Sequence, residues 1–284
     1  MSSAETKSYN DRVKVSIEGG IADVRLDRAD KRNALDPAMF DAIARAGKDL
    51  VSNKEIRAVV LSGSGASFCA GLDFASFQSM ANGGSSNSDT KSNSGENAGA
   101  MQPGAITHLA QQICWVWQEV PVPVIAAIQG HALGGGMQLA LGADIRIAHP
   151  DTQFAMREVH WGLIPDMTGT LMLSRLVRDD VAKDLVFSAR VISGTEAHQL
   201  GVVTRLTDSP LETAMQIASE IAERSPDAVR GAKALINRLS NAGAAEHFAE
   251  ERKIIYSLIG KPNQVEAVMS NFEKRPASFV SPTA

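Results

Sequence analysis

The apolar pattern of this chain changes character once, near Thr207, and that change is the strongest constraint on its fold. Before it, short β-branched runs alternate with stretches of helical period. After about Pro210 only the helical period is left. Strand followed by helix, repeated, belongs to the α/β class, here with a helical tail. The expected division is residues 1–207 as the core and 208–284 as a helical C-terminal region.

Val13 to Ile17 and Ile21 to Leu26 alternate apolar and polar residues around Gly19-Gly20, which predicts a β-hairpin. Asp36-Pro37 reads as an N-cap followed by proline at the first helical position. That helix should run through Phe40, Ile43 and Leu50. Ile56 to Leu61 and Val124 to Ile128 are short apolar runs, hence buried strands. Ile106 to Glu119 reads as a helix stopped by Pro121 and Pro123. Asp144 to Ala148, Thr152 to Met156 and Val202 to Leu206 read as further short strands. The stretch 81–104 is rich in Ser, Asn and Gly and is expected to be a mobile loop, either a tolerated insertion or a flap over a ligand.

Composition narrows the function classes. Hydrophobic residues make up 44% and charged residues 21%, with a net charge of −4, so no basic footprint for nucleic acid is present. Cys69 and Cys114 stand apart with no paired spacing, which argues against a disulfide framework or a zinc site and fits a reducing cytoplasm. No signal peptide, membrane span or peroxisomal tripeptide is expected. A phosphate-binding P-loop, a dinucleotide glycine fingerprint, a nucleophile elbow and a zincin helix are all missing from the sequence.

Two segments carry the chemistry. Ser67-Phe68-Cys69-Ala70-Gly71-Leu72-Asp73 follows one buried strand. Gly130-His131-Ala132-Leu133-Gly134-Gly135-Gly136-Met137-Gln138 follows another and opens a helix. Small residues allow close approach of a ligand to backbone, and N–H groups at a helix start are unpaired and at the positive end of its dipole. Two such donors aimed at one point make an oxyanion hole. Either segment alone could be merely a tight turn.

Together, and in this order, they resemble the crotonase superfamily of enoyl-CoA hydratases and isomerases. The resemblance extends over Arg28 to Leu35, Glu158-Val159-His160-Trp161-Gly162-Leu163-Ile164-Pro165, Ser193 to Ala197, Leu200 to Val203 and Phe272 to Arg275. It implies a ββα spiral core with a helical C-terminal trimerisation region, assembled as a homotrimer or hexamer. It also implies an acyl-CoA thioester whose oxygen is held by the N–H groups of Ala70 and Gly135. Gln138, Lys31, Ala34, Leu72 and Asp73 would contact the substrate. No metal, redox cofactor, nucleic acid or membrane is expected, coenzyme A entering only as part of the substrate.

The carboxylates decide which reaction is expected. Hydratases of this family use two glutamates, and the place of the first is held here by Gln138, which cannot act as a base. The second matches Glu158. Dienoyl-CoA isomerases carry a glutamate and, eight positions later, an aspartate, as Glu158 and Asp166 stand here. The resemblance then implies that Asp166 removes a proton beside the thioester and Glu158 returns one farther along. The leading expectation is a 3,5-dienoyl-CoA to 2,4-dienoyl-CoA isomerase. The alternatives are a 2-enoyl-CoA hydratase or 3-to-2 enoyl-CoA isomerase of fatty-acid oxidation, or a non-catalytic acyl-CoA binder. Asp166 also stands where it could cap the helix from Thr168, and Glu158 where it could pair with Arg157. His131, His160, Trp161 and Met137 read as packing or hydrogen-bonding residues.

Overall fold

The computed structural model describes residues 6–76 and 98–280. Most of the Ser/Asn/Gly-rich stretch, 81–97, lies outside the described residues, so the expected flap is not addressed there.

Ten strands form two sheets among the described residues. The larger uses β1 (Thr6–Tyr9), β2 (Val13–Glu18), β3 (Ile21–Leu26), β4 (Ala58–Gly63), β5 (Val124–Ile128), β7 (Ile145–Ala148) and β10 (Arg205–Leu206), in the order β1-β2-β3-β4-β5-β7-β10. The smaller joins β6 (His131–Leu133), β8 (Gln153–Ala155) and β9 (Ile192–Ser193). The expected hairpin is β2 with β3, antiparallel, turned by Gly19 and Gly20 at φ 57° and 81°. Within the larger sheet every pairing from β3 to β10 is parallel.

The buried β4 reads as an unbroken apolar run because both of its faces are covered. Val59 and Leu61 face the main core, while Ala58 and Val60 face a second cluster. The main core includes α1 (Pro37–Ser52), whose N-cap Asp36 accepts from Met39 N at 2.8 Å, and α2 (Leu109–Glu119). Gly47 of α1 lets the two helices touch, since a Cβ there would meet Val116 at 2.5 Å. A fully buried Ile43 or Ile113 contributes about 1.5–3 kcal/mol.

Short helices follow the strands: α3 (Gly135–Leu141), α4 (Gly169–Ser174), α5 (Asp179–Ser188) and α6 (Gly194–Gln199). Four more make the tail: α7 (Pro210–Ala222), α8 (Pro226–Ser240), α9 (Ala244–Leu258) and α10 (Pro262–Glu273). These tail helices are tied into the core. Ala214, Ile217 and Ala218 of α7 cover Ala58, Val60, Ile125, Ala127 and Ile147 on the sheet. Phe248 of α9 is fully buried in the main core. Lys233 of α8 is buried, its Nζ donating to Trp117 O at 2.9 Å, Val122 O at 3.0 Å and Asp144 Oδ2 at 2.7 Å.

Three details differ from the sequence expectation. Thr6–Tyr9 pairs as an outer strand although only Tyr9 is buried, so its polar pattern gave no signal. The strand expected over Val202–Leu206 is reduced to Arg205–Leu206, because Val202 and Val203 both donate to Ala197 O to close α6. His131–Leu133, within the segment expected only to follow a strand and open a helix, is itself a strand beside Gln153–Ala155.

Candidate active site

The two glycine-bearing segments leave the carboxyl ends of β4 and β5, which are parallel neighbours. In open α/β sheets that is where ligands bind. Backbone bonds hold the segments side by side: Cys69 N donates to His131 O at 2.9 Å, and Leu133 N to Cys69 O at 3.1 Å. Only glycine fits at the joint. A Cβ on Gly136 would come 2.2 Å from Cys69 O, and one on Gly71 2.5 Å from Leu133 O.

Gly135 is the first residue of α3, so its N–H has no acceptor within the helix. Its expected partner is different from the one implied by resemblance. Ala70 N–H donates to Arg32 O at 3.0 Å and is therefore occupied. Leu72 has the free amide. Leu35 N bonds Gly71 O at 2.8 Å and Asp73 N bonds Leu35 O at 3.0 Å, a parallel bridge that turns Leu72 N–H away from Leu35. An extended chain would point the amides of residues 70 and 72 to the same side. Gly71, at φ 90°, breaks that alternation. The Cβ position of Gly71 lies 3.8 Å from Gly135 N, so the Gly71–Leu72 peptide and the Gly135 amide are neighbours. The candidate donor pair is therefore Leu72 and Gly135.

Glu158 begins the 3-10 turn Val159–Trp161 and is 9% exposed. Its Oε1 accepts from Gln138 Nε2 at 2.6 Å and lies 3.3 Å from where a Gly134 Cβ would be. Its Oε2 is buried with no partner. Burial pushes the Glu158 carboxyl up to about 7, against the opposing pull of its hydrogen bonds and Arg157. No ion pair with Arg157 forms among the described residues; Arg157 Nη1 instead donates to Ala189 O at 2.9 Å.

Asp166 does not cap α4. The N-cap there is Thr168, without a side-chain cap bond. Burial, then the charges of Glu251 and Glu158, push Asp166 up to about 8. Desolvated carboxyls with mutual repulsion are characteristic of proton-transfer sites.

Gln138 is fully buried and uses both ends of its amide. Nε2 holds Glu158, while Oε1 accepts from Met167 N at 2.9 Å and Gly169 N at 3.0 Å. It therefore serves the protein rather than meeting a ligand directly. Asp73 is likewise engaged: Oδ2 pairs with Arg28 Nη1 at 2.7 Å and Oδ1 accepts from Ala75 N at 3.0 Å. Its carboxylate fixes the segment after Leu72. Ala34 is half-buried and its carbonyl accepts from Arg28 Nη1 at 3.1 Å, while Lys31 is exposed on the adjoining turn. Among the other residues read as packing, His131 Nδ1 bonds Ser67 Oγ at 2.9 Å, Met137 is core, and Trp161 packs with Phe74 and Phe272.

One residue of the site was missed. Glu251 is buried on α9 and reaches the turn that carries Asp166. It occupies a position in the stripe Ala244, Phe248, Glu251, Ile255, whose other members are buried and apolar. A carboxylate on an apolar helix stripe was the available signal. Among the described residues, no cluster of three or more His, Cys, Asp or Glu could hold a metal ion, and no helix is long and apolar enough to cross a membrane.

The sequence matches the family model "Enoyl-CoA hydratase/isomerase" over residues 16–282. It is 31% identical over 261 residues to a short-chain-enoyl-CoA hydratase of Clostridium acetobutylicum, covering 91% of this chain and 93% of the relative. It is 29% identical over 293 residues to the mitochondrial methylglutaconyl-CoA hydratase of Mus musculus, covering 97% and 88%. Among solved structures, an enoyl-CoA hydratase/isomerase from Pseudoalteromonas atlantica T6c superposes with a TM-score of 0.80 at 25% identity, covering 95% of this chain and 100% of that one. With its two glycine segments joined as described, the chain has the crotonase fold and belongs to the enoyl-CoA hydratase/isomerase family.

Proposed function

We propose that this enzyme converts a 3,5-dienoyl-CoA to the 2,4-dienoyl-CoA by two proton transfers. The observation that carries the reading is the acid set. Glu158 and Asp166 are both desolvated, Glu158 Oε1 lies 3.3 Å from the Gly134 Cβ position and Asp166 precedes Met167, whose Sδ lies 3.0 Å from the Gly135 Cβ position, while Gln138 stands where a second glutamate would serve hydration.

The thioester oxygen accepts from Leu72 N–H and Gly135 N–H. Asp166, as carboxylate, takes a proton from C2, and the electron pair spreads through the diene onto that oxygen. Glu158, as the acid, gives a proton to C6. Double bonds at 3 and 5 become double bonds at 2 and 4, with no atoms gained or lost. The two carboxyls then re-equilibrate their protons. An Asp166 of high proton affinity suits abstraction from carbon, because base strength must approach that of the carbanion formed. The buried Oε2 of Glu158, free of partners, is the atom from which its proton leaves.

A second reading is 2-enoyl-CoA hydration by Glu158 alone, favoured by the hydratase names of the relatives. Assay of the purified protein with a 3,5-dienoyl-CoA and a 2-enoyl-CoA side by side separates the two. Diene formation absorbing at longer wavelength, with slower or no hydration, is the expected result. Hydration alone would overturn the isomerase reading.

The proposal includes a homotrimer or hexamer in the cytoplasm. Leu235, Ile236 and Leu239 on α8 are 68%, 65% and 84% exposed on the single chain, an apolar face suited to a second copy. Cys69 and Cys114 are both free thiols, as a reducing compartment allows. Light scattering at micromolar concentration checks the assembly, and a monomer would count against it.

A further inference from the structure

The turn between Asp166 and α4 is held in an unusual way. Thr168 sits at φ 69°, a left-handed conformation that a β-branched side chain rarely adopts. It is fully buried, and its Oγ1 has no partner. Three consecutive backbone donors in this turn go to two buried side chains. Met167 N and Gly169 N go to Gln138 Oε1, at 2.9 and 3.0 Å, and Thr168 N goes to Glu251 Oε2, at 3.2 Å. Glu251 Oε1 also accepts from Thr170 Oγ1 at 3.0 Å, and Oε2 from Gln111 Nε2 at 2.9 Å. His247 Nε2 lies 3.4 Å from Glu251 Oε1 and 2.8 Å from Thr170 Oγ1. A disfavoured backbone shape persists only where its surroundings over-determine it, and such turns gather at functional sites.

We propose that Gln138 and Glu251 are positioning residues that clamp the Met167–Gly169 turn from two sides, aiming Asp166 into the site and fixing its electrostatic surroundings. The inference rests on the reading of Asp166 as a proton-transfer group. Gln138 is anchored on α3 and also holds Glu158, so one side chain sets the relative placement of both acids. Glu251 comes from the tail helix α9. A carboxylate there offers two acceptors to three donors and keeps a negative charge near Asp166. The titratable groups facing Asp166 are Glu158 near its own turn, Glu251 and Tyr256 from α9, and Cys114 from α2. His247 faces Glu251 from the same helix.

The test is a carbon-13 NMR titration of full-length protein labelled at aspartate carboxyls, with the Asp166 resonance identified by its loss in Asp166→Asn. In Glu251→Gln the Asp166 midpoint should fall by about one unit, because a like charge has been removed. The isomerase kcat should drop roughly tenfold with KM within about twofold, as expected when placement rather than binding is lost. A variant that is merely less stable would not move the midpoint. An unmoved midpoint overturns the proposal whatever kcat does. Should Asp166→Asn keep full isomerase activity while the midpoint shifts as expected, the clamp stands and the proton-transfer reading of Asp166 is the part that fails. Should Glu251→Gln not fold, amide exchange of the wild-type protein decides. Amides of a first helical turn ordinarily exchange fast, whereas clamped Met167, Thr168 and Gly169 should be protected, and rapid exchange at all three overturns the clamp.

Discussion

Gln138 Nε2 donates to Glu158 Oε1 at 2.6 Å, and Oε2 of the same carboxyl is buried without a hydrogen-bond partner. The carboxyl is thereby oriented by a group that cannot itself ionise. Gln138→Glu would set a second carboxylate against the first, and two such groups about 3 Å apart cannot both be charged. We expect Gln138→Glu to lower isomerisation roughly 10²-fold at pH 7 and to raise the pH of its optimum. A pH–rate profile indistinguishable from wild type would contradict this account of Glu158.

Asp166→Asn and Glu158→Gln should each reduce isomerisation by about 10²–10⁴, the usual contribution of a general acid or base. Isotope exchange separates their roles. In deuterated water, Glu158→Gln should still wash deuterium into C2 of the substrate while forming little product. Asp166→Asn should do neither. Deuterium entering C2 at the wild-type rate in Asp166→Asn would remove Asp166 as the base.

Burial pushes Glu158 up to about 7 and Asp166, with neighbouring charges, up to about 8, so around neutrality the pair shares a proton. The form that the proposed mechanism needs, with Asp166 ionised and Glu158 protonated, is the minor of the two singly protonated arrangements, because Asp166 holds the proton more tightly. Activity should follow a narrow bell with its top between about pH 7 and 8. Activity unchanged from pH 5 to pH 10 would be incompatible with this pair.

Stability should carry the opposite mark of the same acids. Each has a folded-state pKa above its unfolded value, so between the two values the folded protein binds more protons. Unfolding free energy therefore falls as pH rises from about 4 to 8 on account of these groups. Asp166→Asn should stabilise the fold by on the order of 1–3 kcal/mol at pH 9 and by little at pH 4. Denaturant titration at the two pH values checks the difference, and equal effects at both would rule out the desolvated Asp166 carboxyl as its source.

The glycine triplet gives a contrast within two adjacent residues. A Cβ on Gly135 meets Leu35 Cδ1 at 2.9 Å and Met167 Sδ at 3.0 Å, both ends of side chains that can shift. A Cβ on Gly136 meets the Cys69 carbonyl oxygen at 2.2 Å, which cannot. Gly135→Ala should fold and lose about 10²–10³ in kcat/KM through displacement of an oxyanion donor. Gly136→Ala should lower Tm or fail to fold. Circular dichroism melts with kinetics on both variants test the pair.

Much of this was legible in the sequence. Buried strands, the β2–β3 hairpin, the Asp36 cap and the two glycine segments each have a local signature, and local chemistry is what sequence pattern reports. The acids Glu158 and Asp166 were singled out because their spacing resembles a family pattern. The oxyanion donor was placed two residues early, at Ala70, because its identity depends on the positive φ of Gly71 and on Arg32 O capturing the Ala70 amide. Gln138 read as a possible substrate contact, since nothing local shows that both ends of its amide are taken by Glu158 and the 167–169 turn. Glu251 was invisible as a site residue because its partners are far away in the chain. Asp73 looked like a substrate contact for the same reason, its Arg28 partner lying across the fold.

The packing of α7 bears on how the chain is made. Ala58, Val60, Ile125, Ala127 and Ile147 form a sheet face that Ala214, Ile217 and Ala218 of α7 cover. Synthesis proceeds from the N-terminus at about 5–20 residues per second. The sheet therefore emerges from the ribosome well before its lid, and for several seconds presents a bare apolar face. A nascent chain ending near residue 207 should be a chaperone client, and one extended past α7 should not.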